Sequence, residues 1–254
     1  MHCIAIPERS YQAGRTLVEI SNVCRTPMSA HADQIVESCM ESMGRVDSKL
    51  RTMIIQSMCM VIQALPVDSA LPRLEYILLG ILRQLSSDIA TARNNTMASR
   101  ESIYDSLGYL ISSCKSNDAI MINPENPYPD THGIGSTFVT ALQATTEIYF
   151  QDEEMCERVS SLISTTMMSQ ISFFIDQKGQ IAALVSNNYR SFPRACWLTS
   201  GMSIISKPVQ PYVSEFVCGI ISCTLFSFTM AGWAAANPDI LFYFFDFLRH
   251  VISI

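Results

Sequence analysis

The chain has 254 residues, 48% hydrophobic and 16% charged, with a formal net charge of −6 and an isoelectric point near 5.2. The apolar fraction is enough for a core, and the low charged fraction suggests that part of the surface packs against something further. The acidic balance argues against nucleic acid as a direct partner and favours basic protein segments.

In chain order, apolar segments of helix length alternate with short Pro-, Asn- or Asp-marked breaks. Helices are expected over Glu8–Cys24, Ser29–Met43, Asp47–Leu65 and Ser69–Leu85. In the second, Ile35, Val36, Cys39, Met40 and Met43 share one face, and Pro27 stops the preceding helix from running on. In the third, Leu50, Met53, Ile54, Ser57, Met58, Val61 and Ile62 make a wide stripe, as expected of a helix covered on two sides. The fourth opens with Ser69 and with Pro72 near its first turn, and has Leu74, Ile77, Leu78, Ile81, Leu82 and Leu85 as its core face. A mostly polar connection, Ser86–Ser99, follows.

The rhythm resumes at Ser99–Cys114, and Asn117–Gly135, with three prolines and two glycines, then reads as an irregular loop. That loop is either a partner-contacting projection or an insertion without function. Further helices are expected at Ser136–Phe150, Asp152–Met168, Gln177–Tyr189, Phe192–Ser206, Tyr212–Met230 and Asn237–Ile254. The acidic run Asp152-Glu153-Glu154 suits a helix start, where carboxylates favour the dipole. Asn237, Pro238 and Asp239 make a strong start for the last helix, with Asn237 as N-cap.

Paired helices begin about every 40 to 50 residues, the period of HEAT or armadillo repeats. The expected fold is all-α: one continuous solenoid segment over residues 1–254, about five helix pairs plus an unpaired terminal helix. Leu241, Phe242, Phe244, Phe245 and Leu248 of that last helix would be left uncovered, so the chain reads as a fragment of a longer solenoid. Fourteen methionines fit as fillers between imperfect layers, with a Met-rich ligand groove as the alternative. The nine cysteines, odd in number and without C-x-x-C, read as reduced, mostly buried thiols of an intracellular protein.

No secretory leader is expected, because Glu8 and Arg9 interrupt Met1–Ile6. Phe216–Pro238 lacks charge over 23 positions, but its hydroxyls and the Asn-Pro-Asp break favour a buried helix over a membrane span. No H-E-x-x-H, G-x-S-x-G, P-loop or EF-hand pattern occurs. Gly133-Ile134-Gly135 lacks the third glycine of a dinucleotide fingerprint, and His2, His31, His132 and His250 are far apart in sequence. Neither an enzyme nor a metal or cofactor site is expected.

Several short runs, in order, resemble the importin-β superfamily, in its branch containing importin-thirteen and transportin-SR. They are Glu19-Ile20-Ser21-Asn22-Val23-Cys24, Gln63-Ala64-Leu65-Pro66-Val67-Asp68, Cys156-Glu157-Arg158-Val159, Thr224-Leu225-Phe226 and Asn237-Pro238-Asp239-Ile240. The resemblance implies a middle-to-late portion of a nuclear transport receptor that shuttles between cytoplasm and nucleus. Its implied partners are protein cargo, the Ran GTPase and nucleoporins. Transportin-SR carries an arginine-studded helix from the Cys156-Glu157-Arg158 match. Here Ser161, Ser164 and Met168 stand where further arginines are expected, so the importin-thirteen side of the branch fits better.

In importin-like solenoids the second helices line the concave face. By that resemblance the row Asp33, Glu37 and Glu41 on the second helix would face a basic cargo, the competing reading being a solvated face. A generic HEAT scaffold subunit of a cytoplasmic complex is the alternative function.

Overall fold

A computed structural model describes residues 7–95, 99–116, 130–169, 172–205 and 211–253. Among them the chain is all-helical, without strands. Most of the expected irregular loop, residues 117–129, lies outside the described residues, as do Met1–Ile6 and residues 96–98 of the polar connection. The chain divides into two compact units, Met1–Ile134 with Ser169–Phe173, and Gly135–Met168 with Phe174–Ile254.

The first unit contains α1 (Pro7–Val23), α2 (Arg25–Ser29), α3 (Ala32–Met43), α4 (Ser48–Ile62), α5 (Val67–Ala92) and α6 (Arg100–Lys115). Helix α4 is its centre and packs on α1, α2, α3 and α6. Its expected stripe is buried, apart from a half-buried Met53, and Ile55 and Cys59 widen it. Asp47 caps this helix, accepting from the Leu50 amide at 2.8 Å. Ser57 is admitted to the core because its hydroxyl donates back to the Met53 carbonyl at 2.8 Å.

Helix α5 buries all six expected core residues. It then continues to Ala92, where a connection was expected from Ser86. Ile89 and Ala92 extend the Leu85 stripe by four and then three positions, while Ser86, Ser87 and Thr91 face out. Buried apolar spacing therefore outweighs the weak helix propensity of the serines. Pro72 lies inside α5, beyond the first turn where it was expected.

The second unit contains α7 (Ile134–Ile148) and α8 (Glu153–Ser169) but for Ile134 and Ser169, then α10 (Lys178–Ser191) and α11 (Ala195–Ile205), while the short α9 (Ser172–Ile175) is divided between the two units. It ends with α12 (Pro211–Phe228), α13 (Trp233–Ala236) and α14 (Pro238–Ile252). Helix α10 packs on α11 and α12, and α11 packs on α14, a layered stacking of successive helices as in a helical repeat. Asp152 accepts from the Met155 amide at 3.1 Å, so the acidic run does open a helix. The core holds Tyr189, Trp197, Phe216 and Phe247, with the two phenylalanines edge-to-face at 6.2 Å.

Two expectations about α14 are corrected. Phe244 is buried and packs edge-to-face on Phe228 at 6.0 Å, whereas Phe242 and Phe245 are 69% and 62% exposed. Asn237 does not cap α14 with its side chain. Its amide donates instead to the Trp233 carbonyl at 2.8 Å, closing α13.

No helix among the described residues is long and apolar enough to cross a membrane, and α12 stops at Phe228. Eight cysteines fall within the described residues, all free. Cys39, Cys59, Cys114 and Cys156 are buried, Cys24, Cys196 and Cys223 are half-buried, and Cys218 is exposed. Cys24 is only half-buried because it sits at the break where α1 ends and α2 begins.

Candidate functional site

Helix α3 places the acidic row. Val36 and Cys39 face the core, and a four-residue step drifts only about 40° around a helix of 3.6 residues per turn. Asp33, Glu37 and Glu41 therefore share an outward face, and all three are exposed. Asp33 in the first turn also favours the helix dipole.

The three carboxylates are not equivalent. Arg73 of α5 grips Asp33 with both ends of its fork, Nε to Oδ1 at 2.7 Å and Nη2 to Oδ2 at 2.8 Å. A third Arg73 nitrogen, Nη1, donates to the Ser69 carbonyl and holds the guanidinium in place. The hydrogen bonds from Arg73, and then its charge, lower the Asp33 pKa below the ordinary 3.8. Asp33 is thus committed to tying α3 to α5. Glu37 and Glu41 remain as carboxylates without an ion-pair partner among the described residues.

The same two helices meet at Gly80, where an added Cβ would lie 3.3 Å from the Met40 methyl carbon. The sequence row is therefore real as a face, but two carboxylates long rather than three. Arg73 went unnoticed because it lies 40 positions from Asp33. A basic residue one repeat length on was the available signal.

His132, read in the sequence as isolated, has its Nδ1 2.6 Å from Oε1 of Glu75, a carboxylate only 5% exposed on α5. Among the described residues no group of three or more His, Cys, Asp or Glu is arranged to hold a metal ion. What the α3 face offers is acceptor charge: two carboxylates one turn apart, open to solvent, suited to ammonium or guanidinium groups. The sequence matches no protein-family model and no curated protein.

Proposed function

We propose that the chain is a protein-binding segment of a nuclear transport receptor of the importin-β kind, holding basic cargo and acting without catalysis. The observation that carries the binding role is Glu37 and Glu41, open and without ion-pair partners among the described residues, on α3 of an all-helical fold. The transport role rests on the collinear resemblance, which also supplies Ran, nucleoporins and shuttling between cytoplasm and nucleus. Helical repeats suit this work because stacked helices present long ledges on which side chains from successive pairs act together.

The test is fluorescence anisotropy with a labelled arginine-rich peptide, on the wild-type chain and on Glu37→Gln/Glu41→Gln. Exposed charge contacts contribute about 0.2–1 kcal/mol each, so the double change weakens binding by several-fold to tens-fold at low ionic strength. The difference shrinks as salt shortens the Debye length from about 10 Å at 0.1 M to about 3 Å at 1 M. Equal affinity of the two proteins at low salt refutes the α3 site. Release of the peptide by GTP-loaded Ran supports the transport reading. Binding retained but indifferent to Ran returns the chain to the generic scaffold alternative.

A further inference from the structure

Helices α10 and α12 pack on each other inside the second unit and leave a crevice between them. Gly179, Ala182 and Ala183 of α10 are small, and they leave a cavity of about 140 Å³ against Phe216. At about 30 Å³ per water, that is room for four or five water-sized groups. A second depression of about 540 Å³ adjoins it along α12, walled by Cys218, Gly219, Cys223 and Phe226. Arg190 and Glu215 line both spaces.

Three polar groups at this crevice have no hydrogen-bond or ion-pair partner among the described residues. The first is Ser186, 6% exposed, whose Oγ is shielded from solvent and makes no hydrogen bond. In the same unit the buried hydroxyls of Thr166, Thr224 and Ser227 donate to the carbonyl four residues back. Ser186 Oγ instead lies 3.0 Å from the point where a Cβ on Gly219 would stand. Arg190 Nη2 lies 2.5 Å from that same point, so hydroxyl and guanidinium meet over a residue with no side chain to part them. Arg190 and Glu215, both exposed, are the other two groups. Burial raises the pKa of the Cys223 thiol and the Arg190 charge works against that rise, so the guanidinium is felt in the second depression as well.

The charges decide what fits. A simple anion drawn to Arg190 would meet Glu215, and a simple cation drawn to Glu215 would meet Arg190. A molecule carrying a carboxylate and an ammonium on one carbon satisfies both at once. A peptide does not, because its two charged termini lie at opposite ends of the chain. The smaller cavity has room for the charged head, and the larger depression offers the Phe226 ring to a side chain.

We propose that this crevice binds a free α-amino acid with an apolar side chain. The carboxylate accepts from Arg190 and from the Ser186 hydroxyl, the ammonium donates to Glu215, and the side chain lies along α12 toward Phe226. The site shares no residue with the α3 face and does not depend on the transport reading.

The experiment is calorimetric titration of the chain with L-leucine, with leucinamide, which lacks the carboxylate, and with 4-methylpentanoate, which lacks the ammonium. Leucine is expected to bind, and each analogue to bind about tenfold more weakly, because one charged hydrogen bond is lost. Arg190→Gln weakens leucine by about tenfold and Ser186→Ala by about threefold to tenfold. Urea unfolding separates a ligand contact from a structural one: Ser186→Ala loses no stability, since its hydroxyl has no bond to lose in the free protein. Glu37→Gln/Glu41→Gln binds leucine as the wild type does. No binding of leucine at about 10 mM overturns the proposal. So does an analogue that binds as tightly as leucine, or leucine affinity unchanged in Arg190→Gln or in Ser186→Ala. The analogue comparison uses the wild-type chain alone and stands whatever the variants do to folding.

Discussion

Tyr189 on α10 and Thr224 on α12 are fully buried, and their hydroxyl oxygens lie 2.8 Å apart. Thr224 also donates to the Ile220 carbonyl at 2.9 Å, so its proton is committed and Tyr189 must be the donor. The chain of donation runs from the phenol to the threonine to the backbone. That direction makes the two deletions unequal. Tyr189→Phe removes a donor and leaves Thr224 bonded to Ile220, a loss of about 0.5–1.5 kcal/mol. Thr224→Val keeps the shape but leaves the phenol O–H buried with no acceptor, a loss of about 1–3 kcal/mol. The double variant removes both polar groups and should cost less than the sum, with a coupling of about 0.5 kcal/mol or more. Urea unfolding at constant m-value, followed by helical circular dichroism, measures all three. Burial pushes the Tyr189 hydroxyl from 10.0 up to about 12. Below pH 10 both states keep the proton and stability is flat. From 10 to about 12 only the unfolded chain loses it, so stability falls as pH rises. Thr224→Val no more costly than Tyr189→Phe, or strict additivity of the two, would refute the assigned direction.

Three further outcomes are expected. The Asp33 carboxyl titrates below 3.8 by carboxyl-detected NMR and returns toward it in Arg73→Gln; its small contribution to stability is present above that ordinary value and lost as pH falls through the lowered one. Thiol labelling at pH 8, read by mass spectrometry, modifies exposed Cys218 first; Cys39 and Cys196, both pushed up to about 12 by burial, react only on denaturation, and comparable rates for Cys39 and Cys218 would contradict the burial. At Gly201 an added Cβ lies 3.1 Å from both Phe216 and Phe247, so the helix-propensity gain of Gly201→Ala is offset by crowding. Gly201→Val, adding more bulk in the same place, destabilises by about 1–3 kcal/mol in urea unfolding.

Helix positions were legible because each helix declares itself within its own span. The α4 and α5 stripes read from residue spacing are the stripes that are buried. Partnerships were not legible, because each joins side chains from different helices. Spacing alone shows that Asp33, Glu37 and Glu41 share a face, but not that a guanidinium from α5 holds the first of them. Asn237 shows the same limit at close range. Its type and place fit an N-cap, yet the Trp233 carbonyl one turn back claims the amide. The uncovered aromatics of α14 were half readable: the sequence counts the rings but cannot tell which of them the α12 phenylalanine reaches.

The unreadable partnerships nevertheless carry the period that the breaks suggested. Arg25 reaches Gln63 across 38 positions, Asp33 and Arg73 are 40 apart, and Ser160 and Ser200 are 40 apart. Tyr189 and Thr224 are separated by 35, and Arg194 and Gln151 by 43. These separations cluster near one helix pair because equivalent positions on successive pairs come side by side when pairs stack. Other ties depart from that spacing, such as Asp88 with Ser102, 14 apart, and Arg51 over the Tyr109 ring; one departure has a visible cause in the chain. Glu75 and His132 are 57 positions apart, and the Pro-rich stretch within 117–135 lies between them. An insertion lengthens the sequence distance without changing which positions become neighbours. Polar side chains one repeat apart are therefore the place to look for the ties between layers, and carboxylates such as Glu37 and Glu41, which have no such tie among the described residues, take no part in holding the layers together.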